Sequence, residues 1–262
     1  MCTMGNEVNM MNKHRGSSLD DFLKEEGIYY LNVICVKWGD KYGPEYVNRL
    51  KSMMSKHFTR PFKMWCYTDD KYGIDYDIEI IDIPEDEMLE GWWNKVGVFK
   101  ESMPYTGRCL YLDLDTVIQN NIDDLVEYEM HKLCGIWTYW NEVWTDGDYE
   151  YATLRHKVPF NSSVMTWNKN QCTWIWDHFW KDHHEYIMKY YGDDKYLGNE
   201  TEYSTFPQEW IYSRLYGDGI HEPTDKARFD NGAQMVHYRP DAKICLMNGP
   251  TSEPHYERFK EQ

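Results

Sequence analysis

Residues 28–36, IYYLNVICV, form a nearly continuous apolar and β-branched run. That pattern marks a strand buried on both faces, as in a parallel sheet. A loop follows, Lys37-Trp38-Gly39-Asp40-Lys41-Tyr42-Gly43-Pro44, and its proline suits the first turn of a helix. Val47, Leu50, Met54 and His57 then share one helical stripe, and Phe62 to Tyr67 reads as a second strand ending in Thr68-Asp69-Asp70. Ile78 to Ile83 reads as a third. Strand, helix and strand at this spacing predict an α/β chain with a mostly parallel central sheet flanked by helices. Ligands of such sheets bind beyond the carboxyl ends of the strands, so Trp38–Tyr42 and Thr68–Asp70 belong to one rim.

The same rim receives the most chemically loaded stretch of the chain, Arg108-Cys-Leu-Tyr-Leu-Asp113-Leu114-Asp115-Thr-Val-Ile118. If strand alternation continues, Asp113 and Asp115 share one side, and Leu110, Leu112 and Leu114 the other. A carboxylate at a buried strand end is costly unless something neutralises it. A hard divalent cation does so, taking carboxylate oxygens and completing its shell with water and phosphates. Asp-x-Asp alone is a weak signal: Asp75-Tyr-Asp77 and Asp146-Gly-Asp148 have the spacing without a preceding strand. The apolar strand is what sets Asp113 and Asp115 apart, as a metal–diphosphate seat rather than solvated charges.

Further elements complete the pattern. Residues 91–103 predict a helix with Trp92, Val96, Phe99 and Met103 on one face and Lys95 on its flank. Thr116 to Ile118 and Leu133 to Tyr139 read as strands, 141–158 as a mobile loop, and Phe160 to Trp167 as a strand with polar residues at its start. One long amphipathic helix is expected over about 171–191, with Cys172, Trp176, Phe179, Trp180, Ile187 and Tyr190 as its stripe, and a short one over 207–216. His178, His183 and His184 have poor ligand spacing on a helix and read as core or surface residues. Gln234 to His237 reads as a strand leading into a basic loop that ends at Lys243. Residues 1–27 are a polar tail or arm, and 28–262 a single domain.

A net charge of −16 argues against a nucleic-acid partner, which meets a basic face. No run approaches the roughly 18 apolar residues that span a bilayer. The seven cysteines include no Cys-x-x-Cys pair, and the N-terminus carries no signal-peptide pattern, so a reducing, cytoplasmic setting is expected.

Two families share the Leu-Tyr-Leu-Asp113-Leu-Asp115-Thr116 string. It resembles the haloacid-dehalogenase phosphatases, in which Asp113 would be a nucleophile and Asp115 a general acid. Here the motif follows about four elements instead of ending the first strand, and the late acidic pair that family needs is matched only by Asp193-Asp194. The second resemblance spreads over residues 28–250. It is to nucleotide-sugar glycosyltransferases of the GT-A fold, above all glycosyltransferase family 8 and its glycogenin-like members. Asp40-Lys-Tyr42 resembles their nucleoside-binding loop, and Trp92-Trp-Asn-Lys95 stands where they carry a basic residue one helix before Asp-x-Asp. Phe160-Asn161-Ser162-Ser163-Val-Met165 resembles their donor-sugar strand, Gln208-Glu209 their Asp-Gln-Asp segment, and His237-x5-Lys243 their closing His-to-Lys motif. Ser163, Pro207, Pro240 and Ile244-Cys245 depart from those patterns.

This second resemblance implies a GT-A fold, with a Rossmann-like mixed, mostly parallel sheet. It implies a metal-dependent transferase moving a sugar from a nucleotide-sugar donor, a UDP-sugar above all, to a glycan or other hydroxyl acceptor. Mn²⁺ or Mg²⁺ would be held by Asp113, Asp115 and His237. Trp38, Asp40, Tyr42, Asp69, Lys95, Asp113, Leu114, Asn161, Ser162 and Lys243 would contact the donor. Gln208 would lie behind the anomeric carbon in a retaining enzyme; Glu209 or an acid of the 141–150 segment would deprotonate the acceptor in an inverting one, with Asp115 the main ligand in either case. A sugar-nucleotide-binding protein without catalysis is the third class. The sugar, the acceptor and the oligomeric state stay open.

Overall fold

The computed structural model describes residues 30–138, 159–190, 192–214, 217–218, 220 and 238–247. The expected N-terminal arm, the expected 141–158 loop, and the expected strand Gln234–His237 with His237 itself lie outside these residues.

The βαβ opening forms as its sequence dictates. Strand β1 (Leu31–Lys37) leads through the loop into helix α1 (Pro44–His57), then β2 (Phe62–Thr68) and β3 (Glu79–Asp82). Pro44 opens α1, and Tyr46, Val47, Leu50, Met53 and Met54 are its buried stripe. After β4 (Arg108–Leu112) come β5 (Thr116–Ile118), α2 (Asp123–Glu127), β6 (Leu133–Trp137) and β7 (Phe160–Asn168). Four short helices follow: α3 (Lys169–Cys172), α4 (Trp174–Lys181), α5 (His183–Lys189) and α6 (Asp193–Glu200). Strands β8 (Tyr203–Thr205), β9 (Ile211–Ser213) and β10 (Ile244–Leu246) complete the described chain.

Among the described residues the main sheet has seven strands, in the order β3-β2-β1-β4-β7-β6-β8. Its pairings are parallel except at β7, which runs antiparallel to both β4 and β6. The mixed, mostly parallel sheet expected from the sequence is therefore present. A second sheet of three strands, β5-β10-β9, lies apart from it.

Alternation along the strands sorts the core into two layers. Leu31, Val33, Cys35, Leu110 and Leu112 face α1, α2 and the small sheet. Ile34, Cys109, Tyr111, Met165 and Trp167 face a 3-10 helix (Gly91–Phe99) and helices α4 and α6.

Three expected helices differ. The segment after Gly91 is a 3-10 helix, not an α-helix, and its buried residues run without a break from Trp93 to Phe99. It is wedged between the sheet and the later helices, so no polar face survives. Trp93 turns inward to stack on Phe179 at 5.5 Å, while Trp92 stays exposed. Gly97 lets it lie close to the sheet: a Cβ there would come within 2.7 Å of the Tyr67 ring. The long helix expected over 171–191 breaks at Asp182, a residue type that favours helix ends, whose backbone leaves the helical region at φ −132° and ψ 33°. The described part of the 207–216 segment, residues 207–214, forms a 3-10 turn (Gln208–Trp210) and then a strand. Ile211, Tyr212 and Ser213 pair in parallel with β10, and pairing overrides the weak local period of a β-branched and aromatic run.

Phe179 is fully buried, stacked on Trp93 and edge-on to Tyr196 at 5.1 Å. Phe179→Ala should lower unfolding free energy by about 3–5 kcal/mol, read from urea denaturation.

Candidate functional site

Strand β4 ends at Leu112, and the chain then turns, with the Thr116 N–H donating to the Asp113 carbonyl at 3.1 Å. Asp113 and Asp115 therefore meet through a turn that carries the chain from the large sheet into the small one, rather than through strand alternation. Asp113 still extends the ladder, its N–H donating to the Ser163 carbonyl at 2.8 Å, while the Asp115 carbonyl accepts from the Met247 N–H at 3.1 Å. Leu110, Leu112 and Leu114 do share one core, as alternation predicts.

A cavity of about 330 Å³ opens at this point. It is lined by Trp38, Lys41 and Tyr42 from the loop after β1, Trp92 and Lys95 from the 3-10 helix, and Tyr111, Asp113, Leu114 and Asp115. The structure thus brings together Trp38, Tyr42, Lys95, Asp113, Leu114 and Asp115 from the sequence-derived set. Asp69 lies one step outside, where its carboxylate accepts the Gly39 N–H at 2.9 Å and ties down the 38–42 loop. Asp40 is exposed on that loop, outside the cavity lining.

Lys95 is the electrostatic centre, and it is buried rather than flanking a solvated face. Its ammonium contacts Asp113 Oδ1 at 2.9 Å, Ser162 Oγ at 3.0 Å and Asp193 Oδ2 at 3.4 Å. Burial alone would lower its pKa, but Asp113 and Asp193 outweigh that and hold it above the usual lysine range. Ser162 in turn donates to Asp193 Oδ2 at 2.5 Å. Asp193, which begins α6, is pushed up to about 6, by burial first, against the pull of Lys95. In the sequence, Asp193 stands out only through the imperfect phosphatase resemblance. Its only signal was an acidic pair after a glycine, Gly192-Asp193-Asp194, a helix-start pattern.

Asp115 is held differently. Tyr42 donates to its Oδ2 at 3.1 Å. Burial raises its pKa first, and the charge of Asp113 raises it further, against Tyr42, Lys41 and Lys95. Two like-charged carboxylates at a half-buried rim are what a hard divalent cation relieves, so the donor chemistry fits Mn²⁺ or Mg²⁺. Among the described residues no third His, Cys, Asp or Glu joins them, and His237 lies outside that set.

Other sequence-derived residues sit elsewhere. Asn161 uses its side-chain oxygen to accept the Ser163 N–H at 3.0 Å, shaping the start of β7. Gln208 follows the carboxyl end of β8, with its amide donating to the Asp218 carbonyl at 2.5 Å, and Glu209 is exposed. Lys243 does not join the carboxylates. It reaches Asp124 at 2.8 Å and the Asn121 carbonyl at 3.2 Å, and its own carbonyl accepts from Gln119, four residues along the chain from Asp115. The register of β10 fixes this, because Lys243 precedes Ile244, which pairs with Ile118.

No protein-family model and no curated protein matches the sequence. Solved structures do match. LgtC, as an active-site mutant, aligns over 88% of this chain and 94% of its own at 15% identity and a TM-score of 0.60. LgtC is a galactosyltransferase, and its complex with donor and acceptor sugar analogues aligns at a TM-score of 0.57. The bifunctional glycosyltransferase WbbM aligns at 11% identity and a TM-score of 0.61, over 89% of this chain and 49% of its own. The glycosyltransferase GlyE of Streptococcus pneumoniae TIGR4 aligns at 17% identity and 0.52, over 84% and 55%. At such identities the shared property is the fold, and this chain has the GT-A fold. That is not the fold the phosphatase resemblance implied.

Lys95→Met removes the ammonium that lies between buried Asp193 and part-buried Asp113. Breaking a buried ion pair costs about 3–5 kcal/mol, and a loss of that size is expected in chemical denaturation.

Proposed function

We propose that this chain is a metal-dependent glycosyltransferase, similar to glycosyltransferase family 8, that moves a sugar from a UDP-sugar to a hydroxyl of a glycan or other acceptor. The observation that carries this reading is the pair Asp113 and Asp115 facing one cavity, with Lys95 behind and Lys41 beside them, at the carboxyl rim of a GT-A sheet. An acidic chain can hold a diphosphate only where local cations and a bound metal reverse its sign.

Asp113 and Asp115 would hold Mn²⁺ or Mg²⁺, which when bound supplies Lewis-acid stabilisation of the departing nucleoside diphosphate. Lys41, exposed at the mouth of the cavity, is placed to meet phosphate oxygens. Lys95 is already committed to Asp113 and Asp193, so its part is to hold and orient Asp113. Trp38 and Tyr42 wall the cavity as ring surfaces for a base or ribose, on a loop that Asp69 fixes through Gly39. Ser162 stands between Lys95 and Asp193. Asp193-Asp194, brought by α6 against that pair, is the acidic segment we assign to the donor-sugar side, ahead of Gln208-Glu209. His237 remains the proposed third metal ligand.

In calorimetry, UDP should bind with Mn²⁺ present and lose most of its affinity in EDTA; equal affinity in both would remove the metal seat. Asp115→Asn should reduce Mn²⁺-dependent hydrolysis of a UDP-sugar to background. Because that change removes one of two repelling charges, the melting temperature should hold or rise. Loss of the fold would mark Asp115 as structural.

A further inference from the structure

Each carboxylate of the candidate cation seat is held by a tyrosine hydroxyl, and the two tyrosines come from different strand ends. Tyr111 lies on β4 two residues before Asp113, is 1% exposed, and donates to Asp113 Oδ1 at 2.7 Å. Tyr42 closes the loop after β1 and donates to Asp115 Oδ2 at 3.1 Å. Lys95 approaches both oxygens of Asp113, at 2.9 Å and 3.2 Å.

Two carboxylates this close repel, and unconstrained they would rotate apart about their terminal torsions. Lys95 restrains Asp113 against this, but a second ammonium placed on Asp115 would compete with an incoming cation. A phenol is neutral and donates one hydrogen bond. It fixes one lone pair of its carboxylate and leaves the negative charge in place. Tyr42 adds a second consequence. It shares its loop with Trp38 and Lys41, both of which line the cavity, so the cavity wall and Asp115 are tied by one hydrogen bond.

We propose that Tyr42 and Tyr111 are positioning residues of the cation seat, each orienting one carboxylate toward the metal. The inference rests on the metal-dependent reading above. Loss of partners that orient metal ligands typically costs 10- to 100-fold in affinity.

The test titrates Mn²⁺ by paramagnetic resonance into the full chain, the Tyr42→Phe and Tyr111→Phe variants and the double variant, with thermal unfolding of each alongside. The phenylalanine ring preserves packing and deletes only the hydroxyl. Each single variant should bind Mn²⁺ about 10- to 100-fold more weakly at a melting temperature near wild type, and the double variant more weakly still. Wild-type affinity in both variants, with or without a lower melting temperature, would make the tyrosines structural and overturn the inference while leaving the metal seat intact. Absence of Mn²⁺ binding by the unaltered chain would overturn the metal reading and this inference together. Should Tyr111→Phe fail to fold, Tyr42→Phe on its rim loop decides alone.

Discussion

The site depends on one buried ammonium. Lys95 joins four segments that are distant in sequence: the 3-10 helix that carries it, the turn after β4 through Asp113, strand β7 through Ser162, and the start of α6 through Asp193. Desolvating a lysine is costly, and only close acids with further hydrogen bonds offset it. Here both are present, since Asp113 also accepts from Tyr111 and Asp193 also accepts from Ser162. The cluster therefore anchors Lys95 and Asp113, two of the residues that line the cavity.

The reversed strand makes that cluster possible. Because β7 runs against β4, its start, not its end, lies beside Asp113, with Leu112 opposite Val164. Were β7 parallel like its neighbours, Ser162 would sit at the other rim and Lys95 would lose a partner. The turn at Asp113–Thr116 then hands the chain to the small sheet, where Met247 secures the Asp115 carbonyl. The carboxylate pair thus lies at the junction of two sheets.

Charge shows the same contrast between chain and site. The protein is strongly acidic, yet the cavity presents Lys41 and Lys95 to its two aspartates. Whole-chain charge speaks to nonspecific partners, whereas a ligand meets the local field.

The sequence by itself determined the strands whose apolar runs exceed a few residues, the βαβ opening, and the Asp113–Asp115 pair at a strand end, because each rests on local periodicity or adjacency. It also singled out Lys95 and Tyr42, though only through resemblance. Tertiary structure decided the rest. Whether 91–103 forms an α or a 3-10 helix depended on its being wedged between layers, and whether 207–216 forms a helix or a strand depended on β10 being available to pair. The place of Lys243 followed from strand register, and its carboxylate partner is Asp124. Asp193 was illegible as a site residue because its partners, Lys95 and Ser162, lie 98 and 31 positions away, and no local pattern encodes a contact that only the packing of α6 against the sheet creates.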